Sequence, residues 1–88
     1  MDLKEEELAV ARRILAAAGS VREAAAQLRE RFAPLRATVV DATDLRDESP
    51  TLRAGRRALF LATSDGHCWS VTPQTRGVQL FILTEEKS

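Results

Sequence analysis

The sequence contains one imidazole and one thiol, and they are neighbours: His67 and Cys68 in the run SDGHCWS. A histidine that meets a cysteine can turn it into a nucleophile or share a metal ion with it. Successive side chains of a strand leave opposite faces of the sheet, so this pair converges only at a bulge or in a turn. The simpler expectation is a turn-flanking His and a packed Cys. A second cluster, Asp41 and Asp44 followed by Asp47 and Glu48, offers carboxylates for a cation. It lacks the Gly-centred spacing of a calcium loop, and Asp is a favoured turn and cap residue, so a solvated loop is the plainer reading. Asp41, Asp44, His67 and Cys68 are therefore the candidate ligand-binding residues, in a small-ligand or metal-handling role. With one Cys and one His, a four-ligand structural zinc site cannot be completed within one chain.

The run AAAGSVREAAAQL resembles the opening of a helix-turn-helix element, with Arg12, Arg13, Arg22, Arg29 and Arg31 as phosphate contacts. A recognition helix would have to follow, but Pro34 and a β-type segment come instead, and acidic residues interrupt the arginines. The 13 basic and 13 acidic residues cancel, leaving no cationic surplus to displace counterions from a phosphate backbone. These grounds weigh against a nucleic-acid partner and leave a DNA-binding adaptor only as a further alternative. No Ser/His/Asp set, Gly-rich phosphate loop or cofactor motif can be assembled, which points away from an enzyme and away from any cofactor. A lone cysteine fits a reducing cytoplasm, and neither a signal peptide nor an apolar run of membrane-spanning length is evident.

The elements that must position these residues follow from periodicity. Asp2 and Glu5 have capping-box spacing, and Leu3, Leu8, Val10, Ala11, Ile14, Leu15 and Ala18 form a broad helical stripe ahead of Gly19, predicting a helix over 3–18. Ser20 and Glu23 repeat the capping box, and Val21, Ala24, Ala25, Leu28 and Phe32 predict a second helix over 21–32, which Pro34 ends. The period then falls toward 2. A strand is expected over 35–40, then a polar, mobile connection over 41–57 in which Ser49 and Pro50 could cap one helical turn ended by Gly55.

Strands over 58–63 and 68–72 flank Asp65-Gly66, a dipeptide suited to a two-residue hairpin turn. With that loop Ala62 faces Trp69 and Phe60 faces Val71, and this surface is expected to meet the helices. A last strand over 78–84 precedes a frayed tail at 85–88. The fold class is thus α+β, in the order α-α-β-β-β-β: two N-terminal helices on a three- to four-stranded, mainly antiparallel sheet, forming a single domain.

Both faces of the strands are apolar. The face away from the helices is expected to carry Leu59, Leu61, Phe81 and Leu83, a docking surface for a protein partner or a second copy unless the chain covers it itself. An 88-residue chain also gains from burying more surface by self-association, so a non-catalytic interaction module is the leading expectation.

The segments EAAAQLRERFAPL, LFLATSDGHCWSVT and GVQLFIL, spanning roughly residues 21 to 83, resemble a small family of uncharacterised bacterial proteins found near nitrogen-fixation genes. That family pairs a Leu-Arg-x-x-Phe-x-x-Leu helix with strands carrying His-Cys and Ser-x-Thr. The resemblance implies an accessory role close to nitrogenase and supplies no catalytic residues. Helix one and the Arg-rich stretch at 53–57 have no counterpart in it.

Overall fold

A computed structural model describes residues 1–86. Helix α1 spans Glu5–Ala17 and α2 spans Val21–Arg31. Among the described residues the sheet has five strands: β1 (Arg36–Val39), β2 (Leu52–Ala54), β3 (Arg57–Ser64), β4 (Trp69–Thr72) and β5 (Leu80–Glu85). The expected α+β class with leading helices holds. The sheet is mixed, because β1 runs parallel to β5 while β3 pairs antiparallel with β5, β2 and β4. Residues 57–62 of β3 are taken up by β5, so β2 (against 57–59) and β4 (against 61–64) must share the opposite edge of β3.

The α2 start is the one its sequence announces: Ser20 Oγ accepts the Glu23 amide at 3.1 Å, and Glu23 reaches back to accept the Gly19 amide at 3.0 Å. The α1 start differs. Lys4 occupies the cap position, and its amide donates to Glu7 at 2.9 Å. Asp2 instead accepts the Gly77 amide at 2.8 Å, while Leu3 N–H donates to Thr75 and Val78 N–H donates to Met1, each at 2.8 Å. The first residues are therefore stitched to the segment leading into β5. The α1 C-terminus has no basic residue in its last turn, and Gly19 is absent from the left-handed glycines. Its free carbonyls are met from the sheet: the Arg57 guanidinium donates to Leu15 and Ala18 carbonyl oxygens at 2.9 and 2.6 Å and pairs with Glu85 at 3.0 Å.

The stretch 41–57 is structured. Asp41 caps a 3-10 turn, Ala42–Leu45, by accepting the Thr43 amide at 2.9 Å, and β2 follows. The helical turn thus lies ahead of Ser49 and Pro50, and Gly55, at φ 61°, turns the chain from β2 into β3. Leu45 and Leu52 explain this order: both are buried, so the segment is tied down at two apolar points. Two residues of the expected tail are ordered. Glu85 belongs to β5 and the Glu86 amide donates to the Arg56 carbonyl at 2.8 Å, whereas residues 87 and 88 lie outside the described residues.

The assignment of sheet faces is the main correction. Leu59, Leu61, Phe81 and Leu83 are fully buried together with Leu15, Leu28 and Phe32 of the helical layer. Phe81 meets Phe32 edge to face, with ring centroids 5.4 Å apart. These four residues are the floor beneath the helices and offer no docking surface. Phe60, Ala62 and Val71, expected against the helices, lie on the other face with Ala58, Leu80 and Ile82. Leu45 packs over that face, leaving Phe60 only 3% exposed. The bulkier set, drawn from the two central strands, fills the deep layer under two helices. The set interrupted by Ala58 and Ala62 makes a shallower surface that a single loop can close.

Candidate functional site

The hairpin carrying His67 and Cys68 turns one residue later than its Asp-Gly signal suggests. Its strands pair Ala62 with Val71 and Ser64 with Trp69, so the loop is Gly66-His67 rather than Asp65-Gly66. The Asp65 carboxylate decides this by accepting the His67 and Cys68 amides at 2.9 Å each, while Asp65 N–H donates to the Cys68 carbonyl at 3.2 Å. Gly66 then occupies the first loop position with φ 97°, as a type II′ turn requires.

The Cys68 amide, foremost, and the His67 amide hold the Asp65 carboxyl below the ordinary carboxylate range. Because the folded-state value is depressed, the turn's extra stability is complete above the ordinary range and fades as pH falls through the lowered value. Acidification is therefore expected to speed amide exchange, relative to the intrinsic rate, at His67 and Cys68 before the sheet opens. Asp65→Ala is expected to give the same local loss at neutral pH, as read by NMR; equal protection in the variant would show that the carboxylate does not hold the loop.

His67, Cys68 and Trp69 line an open cleft of about 690 Å³ with Pro34, Arg36 and Gln79. The turn thus brings His67 and Cys68 to the rim of one cleft. Asp41 lines a different cleft, with Arg22, Arg56 and Glu85, and Asp44 lies exposed in the 3-10 turn beside it. The four candidate ligand residues are consequently split between two places. Among the described residues no group of three or more His, Cys, Asp or Glu side chains converges as a metal centre would need.

The same hairpin presents a feature that residue-by-residue reading missed. Among the described residues β4 pairs only with β3, so its far edge is open there. The Asp65–Cys68 bond fixes which backbone groups point where. Bonded pairs recur at every second residue of an antiparallel ladder, so Ser70 and Thr72 direct their N–H and C=O groups toward β3. Trp69 and Val71 direct theirs outward. The other edge strands are guarded: Arg29 donates to the Ala37 carbonyl of β1 at 2.8 Å, and three-residue β2 carries Arg53 paired with Glu86 at 3.4 Å. β4 has no such guard, for no Asp, Glu, Lys or Arg occurs between Asp65 and Arg76. Trp69, 42% exposed, stands on this edge, and apart from Met1 the described residues include no other large hydrophobic side chain so exposed. The charge gap from Asp65 to Arg76 was the sequence signal for it.

No helix among the described residues is long and apolar enough to cross a membrane. Comparison with known protein families, characterised proteins and solved structures yields no match.

Proposed function

We propose that this chain is a non-catalytic interaction module whose working surface is the open edge of β4, which takes up an extended strand. The observation that supports this reading is an unguarded, uncharged edge with outward-facing backbone groups and an exposed Trp69, in a domain whose other strand edges carry charged side chains. Main-chain hydrogen bonds supply the affinity in strand addition, and the flanking side chains supply selectivity.

A synthetic peptide with the sequence of residues 67–75 is the direct probe. It is expected to shift the amide resonances of Trp69 to Thr72 and to leave β1 and β2 unmoved. In a peptide made with phenylalanine in place of its tryptophan, the protein's Trp69 is the only indole present, so its emission should also move to the blue as the ring is covered. Val71→Pro removes an outward N–H without touching the β3 ladder and is expected to abolish both effects. Peptide-induced shifts centred on β1 or β2, or none, would reject the reading.

A second reading, a small-ligand accessory protein, is favoured by the cleft where His67, Cys68, Trp69 and Arg36 meet. Its mixture of an indole, a guanidinium and an imidazole suits a planar anion better than a metal ion. Equal uptake of an aromatic carboxylate by the parent protein and by Arg36→Ala would dispose of it.

A further inference from the structure

We infer that the strand taken up by the β4 edge is β4 of a second copy, related by a two-fold axis that passes through Ser70 perpendicular to the sheet. This rests on the edge reading above and specifies its occupant. A two-fold axis between antiparallel strands pairs residues of the same face, so the pairing sum must be even. Only Trp69 and Val71 present both outward groups, since Pro73 has no N–H and Ser70 and Thr72 face β3. Centring on Ser70 sets Trp69 opposite Val71 of the other copy, and Val71 opposite its Trp69. Each such pair exchanges two hydrogen bonds, so all four outward groups of each strand are satisfied at once. Moving the axis by one residue to Val71 sets Trp69 against Pro73, which cannot donate.

Side chains agree with the backbone. Trp69 and Val71 share the face opposite the helices, so each exposed indole lies across a half-buried valine, a favourable cross-strand combination. Cys68 falls opposite Thr72 and His67 opposite Pro73. No Asp, Glu, Lys or Arg of either copy lies in the paired segment, so like charges are not set against each other there. The product is one continuous sheet through two domains, with both helical layers on the same side. An antiparallel pairing this short buries little area, so the dimer forms at high chain concentration and exchanges rapidly.

The register gives a discriminating test. Ser70 faces its own counterpart as a non-hydrogen-bonded pair, with Cα atoms about 4.5 Å apart, within the span of a disulfide. Thr72 and its counterpart are separated by about 13 Å along the strands and cannot be bridged. In a Cys68→Ser background, Ser70→Cys is expected to form a covalent dimer in a glutathione redox buffer, whereas Thr72→Cys stays monomeric. Adding Val71→Pro should suppress the Ser70→Cys crosslink at least tenfold, with circular dichroism confirming that the fold is kept. Sedimentation of the unmodified chain should show reversible dimerisation between micromolar and millimolar concentration. A chain that stays monomeric to millimolar concentration, or equal crosslinking at Ser70→Cys and Thr72→Cys, overturns the inference. If the 67–75 peptide still binds the monomeric chain, the edge reading survives and only the identity of its occupant is lost.

Discussion

Phe81→Ala is expected to remove about half of the protein's stability. Phe81 is fully buried on the central strand β5, beneath the helical layer, and its ring packs edge to face on Phe32. Truncating a buried Phe costs about 3 to 5 kcal/mol through lost transfer free energy and the cavity left behind. A domain this size has only about 5 to 10 kcal/mol of stability in all, so the loss is a large fraction of it. The loss should be near the top of the range, because sheet and helices press on the site from two sides and neither can collapse inward alone. Phe81→Leu, which keeps most of the volume, is expected to cost about 1 kcal/mol. Urea unfolding followed by far-ultraviolet circular dichroism would check both. A Phe81→Ala midpoint close to the parent's would show that the helical layer is not anchored there.

Arg57→Met is the second large effect, expected at about 2 to 4 kcal/mol from the lost charge-assisted hydrogen bonds and the carbonyls left unpaired. The guanidinium, mostly buried, closes the C-terminal end of α1 by donating to Leu15 and Ala18 while Glu85 balances its charge. Methionine keeps the stem's packing and removes only these polar contacts. Arg57→Lys should recover part of the loss, since an ammonium donates but lacks the planar fork that serves two carbonyls and a carboxylate together. Amide exchange would locate the damage at the end of α1. Melting that left this end as protected as in the parent would assign Arg57 a merely electrostatic role.

The helices were legible because their signals are local. Ser20 and Glu23 cap α2 at the predicted residue, and the buried positions Val21, Ala24, Ala25 and Leu28 are its apolar stripe. The hairpin was legible to within one residue. Its offset arose because an Asp side chain that captures two amides outweighs the preference for Asp-Gly as the loop pair. Strand alternation correctly grouped Leu59 with Leu61 and Phe60 with Ala62, but it cannot say which group faces the helices when both are apolar. That choice depends on distant residues, Leu45 above all, in a stretch whose polar composition concealed a 3-10 turn and a strand. The parallel pairing of β1 with β5 left no local trace. The split of Asp41 and Asp44 from His67 and Cys68 is likewise a matter of topology that spacing along the chain does not encode.

The strand order β1-β5-β3-β2 has a consequence for the order of assembly. β5 follows β1 and β3 in the chain yet lies between them, so the sheet cannot be laid down in the sequence in which it is synthesised. While β5 is missing, β1 and β3 must keep a vacant slot between them, or else pair with each other and block it. The helical layer is suited to hold that gap, because α2 rests on β1 and α1 on β3 without needing the missing strand. Arg36 must wait for Leu80, and closing so long a loop slows the search. Insertion of β5 is thus the step that commits the chain to its native form.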